Sequence, residues 1–248
     1  MTKPLSVIMP AYNEADCIAD AVAEVCRDVL DLVPEAELVV VNDGSKDRTG
    51  TILNEIAAAD SRVRVVHQPN GGHGRALRTG LDAAQGEYLL LIDSDRQIPL
   101  QAFADLWEEA KRGDGSFGIR IKRSDPPLRL VLTRVIRYSL AILFGAKIYD
   151  ANIPFKVIRR QVWKKARPLI PEDTLAPSLF LAVFAVRTGC ALVFREVSHR
   201  ERETGVVSIR RWKLLKFCAR ALLQLIAFHW RLATYCRGAA LRSVPAGP

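Results

Sequence analysis

Four times in the first 112 residues a short apolar run gives way to a polar turn and then to a helix-like segment. Leu5–Met9, Leu38–Val41, Val63–Val66 and Tyr88–Ile92 are the apolar runs. The last, five residues with no polar alternation, reads as a buried strand of a parallel sheet, and the other three read as strands beside it. After the first, residues 15–33 carry Ile18, Val22, Val25 and Val29 at helical spacing. Asp47 is placed to cap a helix reaching about residue 59, and further helices are expected to about 84 and over about 99–112, the last with Pro99 near its start. Strand–helix alternation repeated in this way predicts a doubly wound, mostly parallel α/β sheet.

The second half is patterned differently. Pro126-Pro127 precedes a helix expected at about 128–145, where Arg129, Thr133 and Arg137 line one side and Leu140–Phe144 is bare apolar. Ser116–Ile119, 155–158 and 190–198 look like strands. A long helix is expected from about 208 to 235. Its Lys213, Lys216, Arg220 and Gln224 form one narrow stripe beside Trp212, Leu215, Leu222, Leu225, Ile226, Phe228 and Trp230. A wide apolar face with basic flanks and terminal tryptophans fits a helix lying in a membrane interface, and a helix packed on the sheet is the competing reading. The uncharged apolar stretches 138–146, 174–186 and 221–228 are each shorter than the ~18 residues a spanning helix needs. The first residues show no signal-peptide pattern.

Charge sharpens the division into halves. The net +9 hides nine basic against nineteen acidic residues in 1–110, fifteen against three in 111–167, and ten against three in 195–237. Separation on this scale points to two surfaces with different partners, the basic one suited to anionic membrane or a phosphate-bearing substrate. Five cysteines, at 17, 26, 190, 218 and 236, have no CxxC spacing and fit a reducing cytoplasm rather than a disulfide framework or a zinc site.

The chemistry concentrates at the strand ends. Asp93-Ser94-Asp95 follows the most apolar strand. Residues i and i+2 on extended backbone point the same way, so both carboxylates can face one point. Two hard oxygen ligands beyond a parallel strand suit Mg²⁺ or Mn²⁺ carrying a diphosphate, with the Gln97 amide as a third ligand. Asp43 and Glu14 end neighbouring strands, where carboxylates can accept hydrogen bonds from a base or ribose; taken singly, each also reads as a helix-start acid. Gly72-His73-Gly74 makes a poor dinucleotide fingerprint and a reasonable glycine-rich entry to a helix near a nucleotide, and no Walker A sequence is present. Arg120, Arg134 and Arg202 in the basic half offer guanidinium forks for phosphate oxygens, or solvated and lipid-facing charge. The four histidines, 67, 73, 199 and 229, have no metal-ligand spacing and are read as structural or surface.

Taken together, Pro10-Ala11-Tyr12-Asn13-Glu14, Val41-Asn42-Asp43-Gly44-Ser45-Lys46-Asp47-Arg48-Thr49, Asn70-Gly71-Gly72-His73-Gly74 and Asp93-Ser94-Asp95-Arg96-Gln97-Ile98-Pro99 resemble the family-2 inverting glycosyltransferases of GT-A fold. Among these the chain is most similar to the dolichol-phosphate and polyprenyl-phosphate sugar synthases. The resemblance covers roughly residues 5–210, with Asp150–Lys156 and Arg202–Gly205 in the expected order. It implies that Pro10, Ala11, Tyr12, Glu14, Val41, Asp43 and Gly72 hold the nucleotide, with Ser94 beside it. It implies that Asp93, Asp95 and Gln97 bind a divalent metal and the donor diphosphate, and that Arg120, Arg134 and Arg202 grip donor diphosphate and lipid phosphate.

The implied partners are a GDP- or UDP-sugar, a polyprenyl phosphate and the cytoplasmic face of a membrane, to which the chain is expected to bind peripherally. Nucleic acid is not among them; a homo-oligomer or a separate membrane subunit stays open. The expected organisation is a glycosyltransferase domain over 1–207, divided into a nucleotide-binding half (1–112) and an acceptor half (113–207), then an interfacial helix and tail over 208–248. The chain departs from the family at Pro154, where glycine is common, and at Val206-Val207-Ser208, where serine-rich sequence is common; both lie on the acceptor side. Two rivals follow. One is a soluble family-2 enzyme using a saccharide hydroxyl, which needs a base such as Asp150 or Asp173. The other is a basic nucleic-acid-binding protein, against which stands the lack of a reader motif and of interleaved aromatics.

Overall fold

The computed structural model describes residues 3–120, 138–145, 150, 153–174, 176–198 and 211–242, with side chains of the last helix described over 220–238. Seven strands form one sheet in the order β3-β2-β1-β4-β6-β5-β7. They are β1 (Leu5–Ala11), β2 (Glu37–Asn42), β3 (Val63–His67), β4 (Tyr88–Ile92), β5 (Gly115–Arg120), β6 (Phe155–Arg159) and β7 (Leu192–Val197). All run parallel except β6, which pairs antiparallel with both β4 and β5. Every residue of β1, β2 and β4 is buried, which is why those strands are mainly apolar, while β3 at the sheet edge is only partly covered.

Helices cover both faces, as expected of a doubly wound sheet. On one side α1 (Ile18–Val25), α2 (Thr49–Ala59) and α4 (Phe103–Lys111) pack on Val7, Met9, Leu38, Val40, Leu90, Phe155 and Val157. On the other, α3 (His73–Ala83), α5 (138–144), α6 (Arg160–Ala166), α7 (Pro177–Arg187) and α8 (Arg211–Arg242) pack on Ile8, Leu89, Leu91, Phe117 and Ile158. The stretch 174–186, judged above only too short to span a membrane, contains α7. Residues 177–185 of α7 are all buried, the arrangement expected of a helix apolar on every side. α1 continues through a π-helical turn at Cys26–Leu30, and the helix expected from Asp47 begins at Thr49, whose N–H and hydroxyl both donate to the Asp47 carboxylate (3.0 and 2.6 Å).

The expected helix at about 128–145 is described only over 138–144, and the long C-terminal helix runs further than expected, to Arg242. α8 sends Leu225, Phe228 and Leu232 into the core and leaves Leu222, Leu223, Ile226 and Trp230 exposed. Its Arg220 and Gln224, two members of the expected polar stripe, reach Asp173 in the turn ahead of α7. No helix among the described residues is long and apolar enough to cross a membrane.

Candidate active site

Strand order reverses between β1 and β4, because β2 and β3 extend the sheet one way from β1 and β4 the other. Open α/β sheets bind ligands beyond the carboxyl ends of strands at such a switch point. The ends in question carry Pro10–Glu14 and Asp93–Asp95. β6 runs the other way, so its entry, with Ile153 and Pro154, arrives at the same rim.

The turns after β1 and β2 are laced together by side chains. The Asn13 N–H donates to Ser45 Oγ (3.0 Å), the Lys46 N–H to Asn13 Oδ1 (2.8 Å), the Glu14 N–H to Thr49 Oγ1 (2.9 Å) and the Ala15 N–H to Asp47 Oδ2 (3.1 Å). Asn13 and Gly44 sit at φ +53 and +67, the left-handed region that asparagine and glycine tolerate. A Cβ on Gly44 would stand 2.6 Å from the Asn70 nitrogen, so this glycine also allows two loops to touch. Tyr12 is exposed at 42%. The Cys17 thiol lies 3.0 Å from Glu14 Oε2, and burial together with that carboxylate pushes the thiol up to about 12.

Asp43 is almost fully buried. Its Oδ1 accepts from Gln68 Nε2 (2.6 Å) and the Gly71 N–H (2.8 Å), and its Oδ2 from the Gly72 N–H (2.7 Å). The carboxylate expected to read a base is thus engaged with the glycine-rich loop that opens α3. It orders that loop and places His73 at the rim, where the imidazole Nε2 is 3.8 Å from Asp93 Oδ1. The sequence reads His73 as structural or surface; only the fold brings it, twenty positions away along the chain, to Asp93.

Asp93 and Asp95 line one small cavity of about 20 Å³ with Glu24, Arg96 and Pro154, far too small for a nucleotide, so a donor would have to lie above the turn. Asp95 Oδ1 accepts the Gln97 N–H (3.2 Å). Arg96 adopts φ +56 and ties the turn to α1 through Glu24 (2.8 Å) and Asp20 (3.3 Å). Among the described residues no N–H or O–H group donates to Asp93. Burial pushes its carboxyl above the ordinary aspartate value and Asp95 adds to this, while His73, Lys156 and Arg120 pull the other way. No group of three or more His, Cys, Asp or Glu among the described residues could cage a metal alone. Two carboxylates at a strand tip, one lacking donors, fit a hard divalent cation completed by phosphate and water oxygens.

Arg120 ends β5 and is nearly buried. Its Nε and Nη2 make a forked pair with Asp150 Oδ2 and Oδ1 (2.7 and 2.8 Å). Pro10, Ala11 and Val41 are buried strand-end residues beneath the β1 and β2 turns, Ser94 is buried between the two aspartates, and Gln97 is partly buried beyond them. Arg134 and Arg202 lie outside the described residues.

Residues 6–200 match the family model described as glycosyl transferase family 2. The chain belongs to glycosyl transferase family 2. Over 243 residues this glycosyltransferase is 29% identical to the bactoprenol glucosyl transferase of Shigella phage SfV, covering 93% of this chain and 75% of that one. It is 27% identical over 204 residues to the undecaprenyl-phosphate 4-deoxy-4-formamido-L-arabinose transferase of Proteus mirabilis (strain HI4320), covering 81% of this chain but 61% of that protein, less than two thirds of its length. Among solved structures, glucosyl-3-phosphoglycerate synthase from Mycobacterium tuberculosis with Mn²⁺, UDP-glucose and phosphoglyceric acid superposes with a TM-score of 0.64 at 19% identity, over 92% of this chain and 79% of that one. That likeness bears out the GT-A arrangement of the sheet.

Proposed function

We propose that this glycosyltransferase moves a sugar from a nucleoside diphosphate donor to a polyprenyl phosphate at a membrane surface, with a divalent cation held by Asp93 and Asp95. The observation that carries the site is Asp93, a carboxylate at the switch point that accepts no hydrogen bond among the described residues and lines the same small cavity as Asp95. A cation bound there supplies charge neutralisation to the diphosphate. Two relatives of 27–29% identity are named for bactoprenol or undecaprenyl phosphate, which supports the acceptor class.

In this reading Tyr12 stacks on the base and Glu14 accepts from the nucleoside. Pro10, Ala11, Val41 and Asp43 shape the pocket, and Asp43 does so by ordering Gly71 and Gly72. A phosphate oxygen of the acceptor attacks the anomeric carbon from the face opposite the diphosphate. The new C–O bond forms as the bond to the nucleoside diphosphate breaks, which inverts the centre. A phosphate nucleophile is already anionic, so catalysis rests on positioning and charge stabilisation. Arg120 supplies a guanidinium beside the reacting phosphates, with Arg134, Arg202 and Gln97 as further polar groups and Ser94 setting the turn.

One observation weighs against a saccharide hydroxyl as acceptor. Such a hydroxyl needs a free carboxylate base, yet Asp150 is forked by Arg120 and Asp173 is held by Arg220 and Gln224. Arg220 pulls the Asp173 carboxyl below its usual range, which makes it a poorer base still. Membrane contact is supported by an apolar outer face on α5 and α8: Tyr138, Ile142, Leu222, Leu223, Ile226 and Trp230 are exposed, while Phe144 packs against Phe228 beneath them.

The test is transfer of radiolabel from UDP-glucose, UDP-GlcNAc or GDP-mannose, with Mn²⁺, to undecaprenyl phosphate in detergent. Label passing into the organic phase, abolished by EDTA and restored by Mn²⁺, is the expected result. Transfer to a free saccharide instead, or transfer indifferent to EDTA, overturns the reading.

A further inference from the structure

Lys156 is fully buried in the middle of the molecule. Its partner across β4 is Leu91, and alternation places Asp93, two residues on, on the same face of the sheet. The ammonium donates to the Ile153 carbonyl and to Ser178 Oγ (2.8 Å) on α7, and it stands 5.6 Å from the centre of the Phe117 ring. Among the described residues no carboxylate touches it. Burial pulls this lysine down to about 7, with Asp150 and Asp93 drawing it back up and Arg120 pushing it further down. A cation held inside a protein by neutral acceptors is costly, and an apolar side chain of the same length would pack there at no such cost.

The bonds that hold it lead somewhere. The Ile153 N–H donates to the Asp150 carbonyl (3.2 Å), and the Asp150 carboxylate takes the Arg120 fork (2.7 and 2.8 Å). Lys156, Ile153, Asp150 and Arg120 are thus consecutive links from the interior to the rim. We propose that Lys156 is a positioning residue for sugar transfer, one that anchors the entry to β6 so that Asp150 holds the Arg120 guanidinium toward the reacting phosphates. Its ammonium also adds positive potential on the Asp93 side of the sheet, without touching substrate. The proposal rests on the reading of Arg120 as a phosphate-binding group.

Lys156→Met tests it with three measurements. Thermal unfolding should show a melting temperature equal to or above wild type, since the buried charge is gone. Phenylglyoxal labelling of Arg120, followed on its peptide by mass spectrometry in the absence of any sugar or lipid, should become several-fold faster as the fork loosens. Turnover in the transfer assay should fall by about tenfold or more, the size expected of a misplaced reacting group, with the donor KM within about twofold. Ser178→Ala removes one anchor and keeps the charge, and should change labelling and turnover in the same directions by less; it also serves if Lys156→Met does not fold. Unchanged Arg120 labelling in folded variants overturns the proposal, as does turnover that falls only in step with the melting temperature. Because labelling needs no donor or acceptor, a wrong acceptor assignment would leave this result standing.

Discussion

Two acids at opposite ends of the same sheet are treated in opposite ways. Glu37 opens β2 at the rim away from the site and is 1% exposed. It accepts from Ser6 Oγ (2.6 Å) and the Gln85 N–H (2.9 Å), and pairs with Lys3 (3.2 Å) and Arg64 (3.5 Å). Burial would raise its carboxyl, yet those donors outweigh it and hold the group below the usual glutamate value. Asp93 follows β4 at the other rim, with the His73 imidazole at 3.8 Å, and burial holds its carboxyl above the usual value. One end of the sheet satisfies its charge from within and so gains stability. The other leaves a carboxylate that accepts no hydrogen bond among the described residues, which is the condition for gripping something from outside.

The comparison breaks if the two acids respond alike to removal. Asp95→Asn and Asp93→Asn should each cut turnover by about 10² or more, the usual scale of lost electrostatic stabilisation, with melting temperatures at or above wild type. Glu37→Ala should do the reverse: denaturant unfolding should show a loss of about 2–4 kcal/mol, because Lys3 and Arg64 lose their shared partner, while turnover below the transition stays near wild type. The same contact sets a pH dependence. A carboxyl lowered on folding contributes stability that is present above its unfolded value near 4.5 and is lost as pH falls through its folded value. The stability gap between wild type and Glu37→Gln should therefore close on acidification below that value and stay open from there to neutrality. Gly44→Ala should cost about 1–3 kcal/mol, since φ is +67 and the new methyl meets Asn70, and it should weaken donor binding by displacing the 70–72 loop. Smallest of all, Ser45→Ala removes the acceptor of the Asn13 N–H and should cost about 1 kcal/mol with a modest rise in donor KM.

Legibility followed the same division. Strands β1, β2 and β4 are covered on both faces, so each shows as a mainly apolar run ended by an acidic turn, and Asp93, Asp95, Asp43 and Glu14 could be placed at the strand ends from that alone. What escaped was anything set by distant pairing. Strand direction leaves no local trace, so the reversal of β6 was invisible. α7 is apolar on all sides and gave no period to read. The engagement of Asp43 with Gly71 and Gly72, the approach of His73 to Asp93, and the fork between Arg120 and Asp150 each join residues twenty or more apart. One signal was available: Lys156 is a lone cation inside the apolar run Phe155–Ile158, a position where charge is rarely tolerated without a task.

The backward course of β6 also decides how the chain reaches the reaction rim. A strand that opposes its neighbours begins where they finish, so the chain touches the reaction rim just before β6 as well as just after β1, β2 and β4. The entry to β6, with Ile153 and Pro154, therefore meets that rim without passing through the helices that follow β1 and β2. The rim is thus reached from two directions of the chain, one through the crossover helices and one through the entry to β6 alone.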